Sequence, residues 1–181
     1  KEHGGIKSFV KVLEAFGYKS YVNDGPGKKR YGVWSGDEDM SLREEIKSVY
    51  NKTNNLRGHK LKILICSSAA KEGLSLTAVR AVHIMEPYWN QSRLDQIIGR
   101  SSRFCSHRQL PENQRNVKVY IYMAVHSDIE QTVDQYMQKL IVKKSKIIHE
   151  FEKAIKESAV DCYLNKNANV DEGDEDIICE K

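Results

Sequence analysis

Short apolar runs alternate with amphipathic stretches along the first two thirds of the chain. Runs rich in β-branched and aromatic residues predict strands at 31–34, 61–67, 81–85 and 117–124. Apolar residues at three- and four-residue intervals predict helices over 5–16, 41–50 and 92–105. The helix over 41–50 opens with Ser41 and Glu44 at the spacing of a capping box. This alternation favours an α/β fold, in which helices flank a parallel sheet.

The pattern changes after Ser127. Apolar residues recur at helical spacing from 128 to 160, and Ser127 with Glu130 is spaced as a second capping box. From residue 165 onward the chain is polar and acidic, and we expect it to be disordered. The predicted division is a core domain over 1–126, a C-terminal helical extension over 127–164 and an acidic tail over 165–181.

Charge is distributed unevenly over a chain of 181 residues and net charge +4. Residues 171–181 hold six acids and one lysine, so the rest of the chain is strongly basic. A basic body favours a polyanionic partner such as nucleic acid or nucleotide phosphate. No apolar run approaches the roughly 20 residues of a spanning helix, so no membrane partner is expected. The scattered cysteines favour reduced thiols in an intracellular compartment over a zinc site or a disulfide scaffold; they are Cys66, Cys105, Cys162 and Cys179.

The most informative segment is Gln-Ile-Ile-Gly-Arg-Ser-Ser-Arg at 96–103. On a helix, Gln96, Gly99, Arg100, Arg103 and His107 fall on one stripe. Guanidinium groups bind phosphate oxygens through paired hydrogen bonds and stay charged at any relevant pH. The glycine beside them lets a phosphate or another backbone approach. Taken alone, the pattern also fits an ordinary surface helix with two arginines.

A second segment, residues 67–77, follows directly on an apolar strand and is rich in small and hydroxyl side chains. The carboxyl ends of parallel strands are where α/β sheets bind ligands. Backbone N–H groups and the hydroxyls of Ser68 and Ser75 are suited to hold a phosphodiester without reading bases. The alternative is a tight turn that needs Gly73 for its backbone conformation.

The order of these segments, with Glu-Pro-Tyr-Trp-Asn at 86–90 between them, resembles the second RecA-like domain of superfamily 2 helicases. The Gly-Leu-Ser-Leu-Thr and Trp-Asn elements most resemble the Swi/Snf-like branch, whose members mostly track along duplex DNA. The residues at 100–107 and the strand near 117–122 are similar to helicases of nucleocytoplasmic large DNA viruses. These include the poxvirus early transcription factor small subunit, nucleoside triphosphate phosphohydrolase I, and asfarvirus and giant-virus relatives.

The resemblance implies an ATP-driven DNA helicase or translocase of viral transcription, in the virion and host cytoplasm. Arg103 would be the arginine finger and Arg100 its neighbour, both reaching ATP held on a preceding domain. The other implied contacts are Gln96 and Gly99 to the nucleotide, and Ser68, Gly73 and Ser75 to the DNA backbone. Viral RNA polymerase or transcription factor subunits are further expected partners.

Two motifs of ATP-hydrolysing helicases are absent from the sequence. There is no G-x-x-x-x-G-K-[ST] loop and no D-E-x-H or D-E-A-D box. ATP and Mg²⁺ would therefore be bound mainly by an N-terminal RecA-like domain, and the chain alone is expected to be inactive. Because the chain opens on a helix, we expect a fragment whose first strand lies upstream. The alternative is a non-catalytic nucleic-acid-binding or docking module that keeps the helicase fold.

Overall fold

The computed structural model describes residues 5–67, 74–86, 88–169 and 178–179. Packing divides the chain into two compact units. The first contains residues 1–84 and 92–121, and the second contains residues 85–91 and 122–181. The described strands all belong to the first unit.

Strands and helices alternate up to residue 66 and again from 81 to 121, as the apolar pattern predicts. The strands are β1 (Lys19–Ser20), β2 (Arg30–Trp34), β3 (Ile63–Cys66), β4 (Ala81–Ile84) and β5 (Lys118–Ile121). The helices are α1 (Ile6–Ala15), α2 (Tyr21–Asp24), α3 (Met40–Asn51) and α4 (Gln91–Ser101). Single 3₁₀ turns cover Thr53–Asn55 and Glu112–Gln114. The predicted α/β class is confirmed; β1 and α2 are too short for the apolar pattern to reveal them.

All pairings between described strands are parallel. β2 lies between β1 and β3, and its last residue, Trp34, is opposite Cys66. β4 pairs with β5 in a second sheet, where Ile84 is opposite Ile121. Since the carboxyl ends of parallel strands meet at one edge, the chain leaves β2 and β3 on the same side of their sheet.

The core of the first unit forms where α3 packs on β2. Ile46 and Leu61 are completely buried and Val49 nearly so. Gly32 of β2 faces this cluster, and a Cβ added there would lie 2.9 Å from Ile46 Cγ2. The close approach of helix and strand therefore depends on a residue without a side chain at this position.

The polar loop after α3 is held by one buried amide. Asn55 Oδ1 accepts from the backbone N–H groups of Lys60 and Leu61, at 2.9 and 3.0 Å. Its Nδ2 donates to the carbonyls of Leu61 and Tyr50, at 2.9 and 3.1 Å. Every polar atom of this side chain is satisfied, so its burial costs little and fixes the path of the loop into β3.

α3 begins one residue before the predicted helix, and its cap differs from the predicted one. Asp39 is the N-cap, and its carboxylate accepts hydrogen bonds from the backbone N–H and the hydroxyl of Ser41. These bonds hold the pKa of Asp39 below its usual value. Glu44 accepts instead from Lys47 Nζ, at 2.9 Å. The predicted Ser41–Glu44 box is thus wrong, because a carboxylate two residues earlier captures the free N–H group.

The second unit contains α5 (Val133–Glu157) and α6 (Cys162–Asn169). The capping box that opens α5 is Thr132 with Gln135, so the predicted box of Ser127 and Glu130 is wrong. Both pairs have the required spacing. Thr132 is selected because its hydroxyl also donates to the carbonyl of Ala124, at 2.7 Å, a tertiary bond that local sequence does not show.

The C-terminal part differs from the prediction in its secondary structure and in the state of its cysteines. α6 extends five residues into the segment that was expected to be disordered from residue 165. Cys162 and Cys179 form a disulfide, with their Cα atoms 5.7 Å apart, whereas four reduced thiols were expected. The two cysteines are 17 positions apart, so only the fold brings them together. Cys66 and Cys105 are free thiols.

We predict that Gly32→Ala lowers the free energy of unfolding by about 1–3 kcal/mol, because the new methyl overpacks the contact with Ile46. Urea denaturation measures the change. Gly99→Ala is the matched control, since a Cβ at Gly99 meets no heavy atom of the described chain within 4 Å. Equal stability of the two variants would contradict the packing described for β2 and α3.

Candidate nucleotide and nucleic-acid site

Two segments that carry the motifs of the sequence lie side by side in the first unit. They are residues 74–79, after β3, and residues 100–107, at and beyond the end of α4. Two backbone hydrogen bonds join them, from Leu76 N–H to Arg100 O at 3.3 Å and from Ala78 N–H to Ser106 O at 2.9 Å. We call this arrangement the paired segments. It brings the hydroxyl-rich motif and the arginine motif into direct contact.

Side chains add two further links between the paired segments. The guanidinium of Arg103 donates through Nη1 to the hydroxyl oxygen of Ser75. His107 places Nε2 at 2.7 Å from the carbonyl of Val79, and its Nδ1 lies 2.8 Å from the hydroxyl of Ser106. With Nε2 protonated, the imidazole donates to Val79 and accepts from Ser106, so both ring nitrogens are used within the fold.

The backbone is strained at two non-glycine residues of the paired segments. Ala78 has φ 55° and Cys105 has φ 62°, both in the left-handed region. Such residues typically cost about 1–2 kcal/mol each. Ala78 itself donates to Ser106, the residue that follows Cys105. Strain of this kind persists only where surrounding bonds over-determine it, and here it lies at the contact between the two motifs.

Asn51, the last residue of α3, fixes the first of the paired segments. Its Nδ2 donates to the carbonyl of Ser75 and its Oδ1 accepts from the N–H of Thr77, each at 2.9 Å. One amide side chain thus satisfies both backbone groups that flank Leu76. The motif is therefore held from two directions, by α3 and by the end of α4.

The arginine motif does not form one continuous helical stripe. α4 ends at Ser101, four residues before the predicted end, so Arg103 lies beyond the helix. The hydroxyls of Ser101 and Ser102 donate to the carbonyl of Ile98 as the helix ends, at 2.7 and 3.1 Å. Arg103 therefore donates to Ser75 from a position beyond the end of the helix.

The environments of the two arginines differ. Arg100 is half-buried at the end of α4, and Arg103 is exposed. Ser75 is the only hydrogen-bond partner of the Arg103 guanidinium in the described chain, and no carboxylate there pairs with it. A guanidinium has five N–H donors, so most of the donors of Arg103 face no acceptor among the residues that the structure describes. This is the donor set that a phosphate group requires.

The remaining predicted residues divide into two groups. Gln96 is exposed on α4 and Gly99 is half-buried with open space above its Cα, so both belong to the same helix as Arg100. Ser68 and Gly73 lie outside the described residues. Of the three residues predicted to contact the nucleic-acid backbone, Ser75 is the one that lies within the described chain.

The sequence analysis predicts no positioning role for two residues of this site. Asn51 lies one residue beyond the predicted helix over 41–50, and no local spacing connects it with Ser75, 24 positions later. His107 continues the predicted helical stripe, yet it turns inward to Val79 because α4 has already ended. For His107, the only signal in the sequence was its position four residues after Arg103.

No described helix combines the length and hydropathy needed to cross a bilayer. The described histidines, cysteines and acids form no group of three that could hold a metal ion.

Comparison with known families identifies the class of protein. Residues 12–105 match the helicase conserved C-terminal domain. Residues 107–181 match the nucleoside triphosphatase I C-terminal domain. The chain therefore belongs to the helicase C-terminal domain family, and the predicted RecA-like fold is confirmed.

Three relatives of this chain are viral proteins. One, named as an ATP-dependent RNA helicase of Acanthamoeba polyphaga mimivirus, is 50% identical over the whole chain, which spans 32% of that relative. An early transcription factor large subunit homologue of African swine fever virus is 36% identical over 76% of the chain and 12% of its own length. A termination factor NPH-I homologue of the same virus is 30% identical over 81% of the chain and 24% of its own length.

The chain thus spans about a third or less of the length of these relatives. The resemblance to helicases of nucleocytoplasmic large DNA viruses is confirmed.

We predict that Asn51→Ala destabilises the paired segments, because the Thr77 N–H and the Ser75 carbonyl lose their shared partner. The expected loss is about 1–3 kcal/mol for two part-buried hydrogen bonds. Hydrogen exchange of the Thr77 amide should accelerate accordingly. Asn54→Ala, at an exposed position just after α3, is the control and should change neither quantity. Unchanged exchange at Thr77 would show that Asn51 does not hold this segment.

Proposed function

We propose that this chain is the C-terminal half of an ATP-dependent DNA helicase or translocase that acts in viral transcription inside the infected cell. It would supply the arginine finger and part of the grip on the nucleic-acid backbone. One observation carries the proposal: the exposed guanidinium of Arg103 meets the hydroxyl of Ser75 and no carboxylate of the described chain.

The nucleotide would be bound between this domain and an upstream RecA-like domain. Arg103 would donate to the γ-phosphate, with Arg100 beside it and Gln96 ordering the nucleotide or its attacking water. Gly99 would leave room for the phosphates. Mg²⁺, held mainly by the upstream domain, supplies charge neutralisation on the phosphate oxygens. The residues of this chain add positive charge that is fixed in place before the reaction.

Ser75 would couple the nucleic acid to the nucleotide. A hydroxyl accepts and donates at once, so Ser75 is able to accept from Arg103 while it donates to a phosphodiester oxygen. Ser68 and Gly73 would complete this grip. Binding of the nucleic-acid backbone would then orient the finger, because the paired segments leave little freedom between the two side chains.

Duplex DNA is the proposed track. The Swi/Snf-like Gly-Leu-Ser-Leu-Thr and Trp-Asn elements support it, as do relatives named as an early transcription factor subunit and a termination factor. One relative is named as an RNA helicase. Comparing duplex DNA with double-stranded RNA as stimulators of ATP hydrolysis distinguishes the two tracks. Viral RNA polymerase or transcription factor subunits are the proposed protein partners.

We predict that Arg103→Ala lowers nucleic-acid-stimulated ATP hydrolysis by about 10³–10⁵-fold, the usual contribution of an arginine finger. The assay uses this chain joined to the upstream domain of its parent, and the isolated chain gives the inactive baseline. Arg57→Ala, an exposed arginine of the loop after α3, is the control and should retain full activity. Undiminished hydrolysis by the Arg103 variant would favour the alternative, a non-catalytic nucleic-acid-binding module.

We also predict opposite effects of Gly99→Ala on stability and on activity. Alanine in a helix interior is more favourable than glycine by about 0.5–1 kcal/mol, and the added Cβ meets open space, so α4 should become more stable. If the phosphates of ATP approach this position, the same methyl lowers hydrolysis in the joined protein. Thermal unfolding and ATPase rates measure the two effects. A stabilised variant with normal ATPase would remove Gly99 from the nucleotide site.

A further inference from the structure

α5 carries a cluster of lysines with no acid among them. Between Asp134 and Glu150 the helix contains no acid and four lysines. These are Lys139, Lys143, Lys144 and Lys146, and all four are exposed. None of them forms an ion pair within the part of the chain that the structure describes. The middle of this 25-residue helix therefore presents an uncompensated positive charge.

Three of the lysines share one face of the helix with an aromatic residue. Since each residue advances about 100° around the axis, Tyr136, Lys139, Lys143 and Lys146 fall within about 80° and span about 15 Å along it. We call these four residues the basic stripe. Tyr136 is 52% exposed at its N-terminal end, and Glu150 closes it one turn after Lys146.

We propose that the basic stripe binds the phosphate backbone of a single nucleic-acid strand, with one base stacked on Tyr136. Lysines neutralise phosphates without reading bases, and their binding releases counterions from the nucleic acid. An exposed aromatic ring beside such charges is the platform on which unpaired bases stack. An acidic protein segment would match the charge but would leave the aromatic ring unused, so a nucleic-acid strand is the better occupant.

This surface is additional to the site of Ser75 and Arg103. It lies in the second unit, on α5, and needs neither ATP nor the upstream domain. A parent protein with this second contact would hold a separated strand while the RecA-like domains exchange nucleotide. The stripe is tested by binding without nucleotide and the finger by hydrolysis, so either proposal can fail alone.

The test measures binding of the 181-residue chain to labelled oligonucleotides of about 20 nucleotides by fluorescence anisotropy. We expect the triple variant Lys139→Gln, Lys143→Gln, Lys146→Gln to bind single strands about 100-fold more weakly near 0.1 M salt, and the salt-dependence slope to fall by about 2. Glutamine keeps the helix propensity of lysine, so circular dichroism should be unchanged. The corresponding triple arginine variant keeps the charge and should restore binding.

A control triple variant removes the same charge elsewhere. Lys7, Lys11 and Lys62 are exposed lysines of the first unit, and changing them to glutamine should leave the slope nearly unaltered. Tyr136→Leu should weaken single-strand binding about tenfold and leave duplex binding unchanged, because paired bases do not stack on the ring. Single-stranded DNA and RNA should respond alike, since phosphate charge is common to both.

Three outcomes would contradict the proposal or its stacked base. Unchanged affinity and slope in the stripe variant would overturn the proposal, and so would an equal loss in the control triple variant. An unchanged single-strand affinity in Tyr136→Leu, with the lysine effect intact, would also reject the stacked base and leave a purely electrostatic contact.

Discussion

The hydrogen bonds between residues 74–79 and 100–107 are the constraint on which the candidate site depends. They fix two irregular segments to each other, and neither belongs to a helix or a strand over most of its length. Isolated loops at a sheet edge would leave an exposed arginine free to sample many rotamers, at a cost of up to about 2 kcal/mol when it binds. Here the bond to Ser75 and the neighbouring backbone bonds restrict Arg103 before any ligand arrives.

That constraint is itself built on α3. The carboxylate of Asp39 starts the helix, Ile46 packs against Gly32 in its middle, and Asn51 at its end holds the backbone around Leu76. Each contact is ordinary by itself. Together these contacts fix residues 74–79 relative to β2 through one helix. α3 contains no predicted catalytic residue, yet it determines where the candidate site forms.

The sequence could predict those features that depend on burial or on local spacing. Runs rich in β-branched and aromatic residues marked β2, β3, β4 and β5, although every residue of β5 is exposed. The starts of helices were less predictable, because several residues near each start have the spacing of a cap. Hydrogen bonds to particular neighbours determine that Asp39 and Thr132 serve as the N-caps. The bonds of Asn51 and the disulfide of Cys162 join residues 17 or more positions apart, and no local pattern encodes such pairs.

Gly32 and Gly99 differ in whether packing within the fold requires a glycine at that position. A side chain at Gly32 would collide with the core, so the fold alone explains the residue. A side chain at Gly99 would meet nothing in the described chain, and glycine there costs α4 about 1 kcal/mol of helix stability. This loss of helix stability brings no packing benefit within the described chain, so its explanation requires a group outside the chain. Under the proposed function, the phosphates of ATP would approach α4 closely beside Arg100 and would provide that cause.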